Sequence, residues 1–196
     1  MKNEKYPQKA KASTRVKLRC DAGAFGNLRV LCFAAMLAAM SVALAYLAKL
    51  IFGLGPFRIT FENFPIIFGG ISFGPFVGAM IAVVADLLSC LLSGQAPNPL
   101  ISVGSISIGI VAGVLGRYVF ARKKWTSLFL VEFFAQFVGS IVLKTWALHT
   151  YFGYAWLALL PRVPVYLGII VAESYLLFAV YKNRHLVSLL ERMYQK

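Results

Sequence analysis

LRVLCFAAMLAAMSVALAYLAKLIF, residues 28–52, decides the fold. Apart from Arg29 at its start and Lys49 near its end, the run is uncharged. Coiled as a helix rising about 1.5 Å per residue, it is long enough to cross a hydrocarbon core of about 30 Å. A secretory signal is the rival reading, and Ala43-Leu44-Ala45 looks faintly like a cleavage site. The run exceeds the roughly 7 to 15 apolar residues of a signal core, so a retained transmembrane helix is predicted.

Working outward, further apolar runs follow at 61–72, 75–93, 100–120, 125–150 and 161–181. The run at 61–72 would cover only about 18 Å as a helix. It is expected to be short or tilted and shielded by its neighbours, because unpaired backbone is not tolerated in lipid. The prediction is an all-α integral membrane protein, a bundle of six transmembrane helices with a short second helix. At 60% hydrophobic residues, a water-soluble domain of 196 residues is excluded. The expected organisation is a basic extension over 1–27, one membrane domain over 28–182, and a tail over 183–196. Leu186, Leu189, Leu190 and Met193 give that tail one apolar side.

The net charge of +13 is topological. Its cations gather in the N-terminal extension with Arg29, at Arg117, Arg122, Lys123 and Lys124, and at Lys182, Arg184, Arg192 and Lys196. With six spans all of these fall on one side, leaving Lys49, Arg58, Lys144 and Arg162 near the other. The positive-inside rule then predicts both termini in the cytoplasm. A nucleic-acid surface is not the natural reading of such loop clusters.

Helix faces carry the next information. Ala34, Ala38, Ser41, Ala45 and Ala48 form one stripe of small residues on the first helix, where another helix can approach closely. Packing inside the chain and docking of a separate membrane subunit both fit. Gly78, Ala82, Ala85 and Ser89, and Ser105, Gly109, Ala112 and Gly116, are assigned to internal packing.

Ionisable groups within spans are costly and are candidate site residues. Asp86 and Lys144 lie at similar depth, about 10 Å below the outer rim, where they would pair or flank one cavity. Arg162 and Glu173 share a face of the last helix with Tyr166 between them; Glu132 and Gln136 lie toward the inner end of the fifth span. The loop at 94–99 offers Gln95 and Asn98 among turn formers. Trp146, Tyr151, Phe152, Tyr154 and Trp156, near His149, supply an interfacial belt or a stacking surface for a flat ligand. No phosphate loop, HExxH or GxSxG is present. Cys20, Cys32 and Cys90 lack metal or redox spacing.

Three segments resemble the S components of energy-coupling factor (ECF) transporters, and their folate-specific branch most. They are the stretch from Arg58 through Glu62-Asn63-Phe64-Pro65 to Phe73-Gly74-Pro75; Val84-Ala85-Asp86-Leu87-Leu88; and Leu143-Lys144-Thr145-Trp146 continuing to Tyr151-Phe152-Gly153 and Leu160-Pro161-Arg162. The chain departs from the folate pattern at Pro161-Arg162-Val163-Pro164, where a proline pair is expected before the arginine, and in the loop 94–99.

The resemblance implies a vitamin-binding subunit of a bacterial plasma membrane transporter with no cofactor of its own. It would associate with a transmembrane coupling subunit and two cytoplasmic ATPases that use the ATP. It also implies a docking motif at Ala34 with Ala38, or in the next register Ala35 with Ala39, flanked here by Ser41 and Ala45. Expected ligand contacts are Arg58, Asp86, Asn98, Lys144, Trp146, His149, Tyr151 and Arg162. A pterin wants an aromatic face and a carboxylate or amide edge, and its glutamate tail wants cations, so folate fits this set. The alternatives are another vitamin or precursor (queuosine precursor, pyridoxine, pantothenate), an intramembrane enzyme using Asp86 and Glu173, or an envelope scaffold.

Overall fold

The computed structural model describes residues 28–52, 61–94, 96–119 and 125–183. The basic extension 1–27, the loop carrying Arg58, Gln95, the turn carrying Arg122, Lys123 and Lys124, and the tail beyond Asn183 lie outside the described residues. Within the described residues every regular element is helical. They are α1 (Leu28–Phe52), α2 (Asn63–Phe73), α3 (Pro75–Leu92), α4 (Pro99–Val119), α5 (Trp125–Gln136), a π-helical segment (Phe137–Leu143), α6 (Lys144–Phe152), α7 (Trp156–Leu159) and α8 (Arg162–Lys182).

Five helices are long and apolar enough to cross a membrane: α1, α3, α4, the continuous run Trp125–Tyr151, and α8. The sixth predicted span is α2, only 11 residues long and buried everywhere except at Phe64. Among the described residues there are thus five span-length helices and, as expected for the second, one short helix shielded by its neighbours. Large apolar side chains cover the exterior, with Leu91 at 75% and Leu157 at 82% exposure. A surface of that kind needs lipid and not water around it.

Local chemistry sets the helix ends. Gly74 takes φ 100 after α2, a conformation open to glycine, and Pro75 then occupies the first turn of α3, where its missing N–H costs nothing. Asn98 caps α4, its Oδ1 accepting from the Leu100 amide at 3.0 Å. Gly153, at φ 66, closes α6.

Glycine also decides the packing. A Cβ on Gly78 would come within 2.7 Å of the Gly70 Cα and 2.8 Å of the Gly109 carbonyl oxygen. Three backbones, those of α2, α3 and α4, thus meet along one seam, as the small-residue stripes of the third and fourth spans predict. At the end of the bundle where α2 stops, Phe33, Phe68, Phe73 and Tyr181 pack together, and the Ser72 and Tyr181 hydroxyls bond at 2.8 Å. The opposite end, where α3 and α6 finish and α8 begins, is open.

Candidate functional site

The start of α2, with Glu62 before it, sits beneath this open end, walled by the last turns of α1 and α3, the first turns of α4 and α8, and α6. Together they enclose a cavity of about 580 Å³. That volume suits a vitamin-sized molecule. Its walls are half apolar, from residues such as Ile66, Ala82 and Ile101, and half polar.

Among the described residues five charged side chains line it: Lys49, Lys144 and Arg162 against Glu62 and Asp86. Lys144 Nζ stands 3.6 Å from Glu62 Oε1, so its ion partner is Glu62 and not Asp86, although Asp86 does share the cavity as the depth argument predicts. Asp86 instead accepts from the Ser102 hydroxyl of α4. Lys49 straps α1 to α3, donating to Ser93 Oγ at 2.5 Å and to the Ser89 carbonyl at 3.3 Å.

Arg162 is different. It is only 7% exposed, its guanidinium carbon lies 5.3 Å from the Tyr166 ring centre, and Nη2 donates to the Tyr166 hydroxyl at 3.3 Å. Nε and Nη1 have no hydrogen-bond partner. Buried guanidinium donors without acceptors are costly, and an anionic group in the cavity would satisfy them.

The amide layer under the cavity is more fully paired. Asn63 lines the floor and is fully buried. Its Nδ2 donates to Gln136 Oε1 at 3.0 Å and to Ser140 Oγ at 3.3 Å, leaving Oδ1 without a partner. Ser140 belongs to the π segment, whose wider turn leaves the Ser140 carbonyl to accept from Thr145 Oγ1 at 3.3 Å.

Of the expected contacts, Asp86, Asn98, Lys144, Tyr151 and Arg162 line the cavity. Trp146 and His149 do not. Trp146 is 52% exposed on the outside of α6. His149 stacks on Trp156 with ring centres 4.4 Å apart, and its Nδ1 lies 2.9 Å from the Tyr154 carbonyl oxygen. That oxygen only accepts, so Nδ1 carries the hydrogen and the ring pins the α6–α7 turn. The aromatic surface facing a ligand is tyrosine, from Tyr151, Tyr154 and Tyr166. Asp86 and Glu173, the acid–base pair left open by the sequence, do not share a site: Glu173 is fully buried and bonded to Gln136.

The α1 stripe also divides. Ala38, Ser41 and Ala45 are buried, Ala34 is half-buried, and Ser41 donates to the Glu62 carbonyl at 2.6 Å. As this face packs inward, Ser41 and Ala45 line the cavity and are not an outer docking surface. Ala35 and Ala39 are exposed.

Sequence reading passed over Lys49, Glu62, Asn63 and Tyr166 as cavity-lining residues. Lys49 and Glu62 carried a signal, being charges that flank apolar runs at the same end. Asn63 carried a weaker one, as a polar residue opening an apolar helix.

Helices fit to span a membrane around a polar, net-cationic chamber define a multi-pass membrane protein with a ligand-sized site at one end. The chain belongs to the family "ECF transporter, substrate-specific component", whose pattern matches residues 29–183. A curated protein of Mycoplasma pneumoniae (strain ATCC 29342 / M129 / Subtype 1), "Uncharacterized protein MG098 homolog", is 35% identical over 80 residues, 41% of this chain. The match spans 17% of that relative's length. No solved structure matches the chain significantly.

Proposed function

We propose that this chain captures folate, or a closely related vitamin, as the substrate-binding subunit of an ECF transporter, and delivers it by association with a transmembrane coupling subunit and two ATPases. Family membership supports the subunit class. The observation that carries the ligand reading is Arg162, with Nε and Nη1 unpartnered in a cavity where, among the described residues, three cations face two carboxylates. A ligand with a carboxylate tail completes that site, while Tyr151 and Tyr154 offer faces for a flat ring and Asp86 or Asn98 an edge for its donors.

The side with Arg29, Arg117 and Lys182 lies at the opposite end from the cavity, which supports cytoplasmic termini and an outward-facing mouth. In the same reading Ala35 and Ala39 form the register that meets the coupling subunit, since they face outward.

Titration of the purified full chain in mild detergent with folic acid, followed by calorimetry, tests the ligand. Saturable binding that weakens about 10- to 100-fold in Arg162→Ala is the expected result. Binding of pantothenate, pyridoxine or a queuosine precursor in place of folate would move the ligand within the family. Tight folate binding indifferent to Arg162→Ala would remove the cavity from the reading.

A further inference from the structure

Beneath the cavity floor, two carboxyl groups are buried between α5 and α8. Glu132 and Glu173 are both fully buried where α5 packs on α8, and Gln136 lies one turn along α5 from Glu132. Gln136 Nε2 donates to Glu173 Oε2 at 2.7 Å, which brings Glu173 to the same face of α5. Both oxygens of Glu132, and Oε1 of Glu173, have no donor. Two ionised carboxylates buried on facing helices of a membrane-spanning bundle repel each other and have lost their hydration. One proton between them removes a charge and turns one carboxyl into the donor that the orphaned oxygens lack.

The network above this pair has a direction. A Glu173 that accepts requires Gln136 to present its NH2 group downward, which turns the Gln136 carbonyl oxygen upward. That oxygen then accepts twice, from Ser140 Oγ at 2.7 Å and from Asn63 Nδ2. Both Asn63 N–H hydrogens are taken up by Gln136 and Ser140, so the capacity that Asn63 has left is an acceptor, Oδ1. Were Glu173 to donate, Gln136 would reverse, and Asn63 with it, offering the cavity a donor instead.

We propose that Glu132 and Glu173 share one proton and, through Gln136, fix the polarity of Asn63, so that the cavity floor accepts a hydrogen bond from a ligand N–H or O–H group. Asn63 is the specificity-determining contact; Gln136 and Glu173 are positioning residues. The relay rests on the reading of the cavity as the ligand site, whereas the shared proton does not.

Two measurements separate these parts. Infrared spectra of the full chain in lipid nanodiscs, without ligand and at neutral pH, are expected to show a protonated carboxyl C=O band. Either Glu132→Gln or Glu173→Gln should shift it, by changing the partner of the shared proton, and the double variant should abolish it. No such band in the wild type would overturn the shared proton, as would a band that disappears on adding sodium chloride, which indicates a cation between the carboxylates.

The second measurement is folic acid affinity by calorimetry. Glu173→Gln can donate to Gln136 and reverse it, and Asn63→Leu removes the acceptor. Each is expected to weaken binding about tenfold in protein that remains monodisperse. Wild-type affinity in both variants would overturn the relay. A wild type that binds no folate would sink the ligand reading and leave the infrared result to decide the proton. Should Glu173→Gln fail to fold, the Glu132→Gln spectrum and the Asn63→Leu affinity carry the two tests.

Discussion

Lys144 and Glu62 stand 3.6 Å apart at the floor of the cavity and join the first residue of α6 to the residue preceding α2. The pair is nearly buried, with side-chain exposures of 9% and 14%. Removing Glu62 leaves Lys144 as a buried charge without its ion partner. Glu62→Gln is expected to destabilise the ligand-free protein by about 2 kcal/mol, and the double variant with Lys144→Met should recover part of that loss. Thermal unfolding in detergent measures both. Additive losses would show that the two charges do not interact.

Arg162 makes the opposite prediction for stability. With Nε and Nη1 unpartnered and only Nη2 bonded, to Tyr166, the guanidinium burdens the empty protein. Arg162→Met, similar in length and apolar, is expected to raise unliganded stability by about 1 kcal/mol while lowering folate affinity at least tenfold. A less stable variant in the same melting assay would mean that Arg162 is a structural residue.

The seam of α2, α3 and α4 tolerates no side chain. Gly78→Ala places a methyl group 2.7 Å from the Gly70 Cα, against backbone that has no rotamer to give. A loss of about 2 kcal/mol is expected. Gly168, where an added Cβ meets nothing within 4 Å, is the control, and Gly168→Ala should leave the melting temperature unchanged or higher. Equal effects of the two would contradict the packing described.

The two registers on α1 should separate in function. Ala39→Trp enlarges an exposed position and is expected to abolish co-purification with the coupling subunit while folate affinity stays unchanged. Ala38→Trp forces a ring into the core, where Ala38 is 3% exposed, and should instead prevent accumulation of folded protein. Intact assembly with Ala39→Trp would move the docking surface elsewhere.

The first span was legible, since apolar length alone determines a helix crossing lipid, and all of Leu28–Phe52 is helical. The shortness of the second helix was legible for the same reason. Depth along a helix was also readable, which is why Asp86 and Lys144 were placed together, but rotation between helices was not. That missing angle left a pair and a shared cavity both open for Lys144 and Asp86; they share the cavity, and Lys144 pairs with Glu62. It also left Trp146 and His149 facing the site, when one faces outward and the other holds a turn. The π segment explains part of the difficulty. It breaks the 3.6-residue period between Gln136 and Lys144, so a helical wheel drawn through the whole span misplaces one half relative to the other.

That π-helical segment also bears on how this site can change over generations. A π turn arises when one extra residue is inserted into an α-helix, and it resolves when one is deleted. Deleting a single codon between Phe137 and Leu143 would keep the span crossing the bilayer, yet rotate its two halves by about 100° relative to each other. Gln136 and Lys144, one beneath the cavity and one in its wall, would no longer face the same ligand. A lineage carrying this bundle therefore has a one-step route to a new cargo that leaves the glycine seam and the lipid-facing exterior untouched.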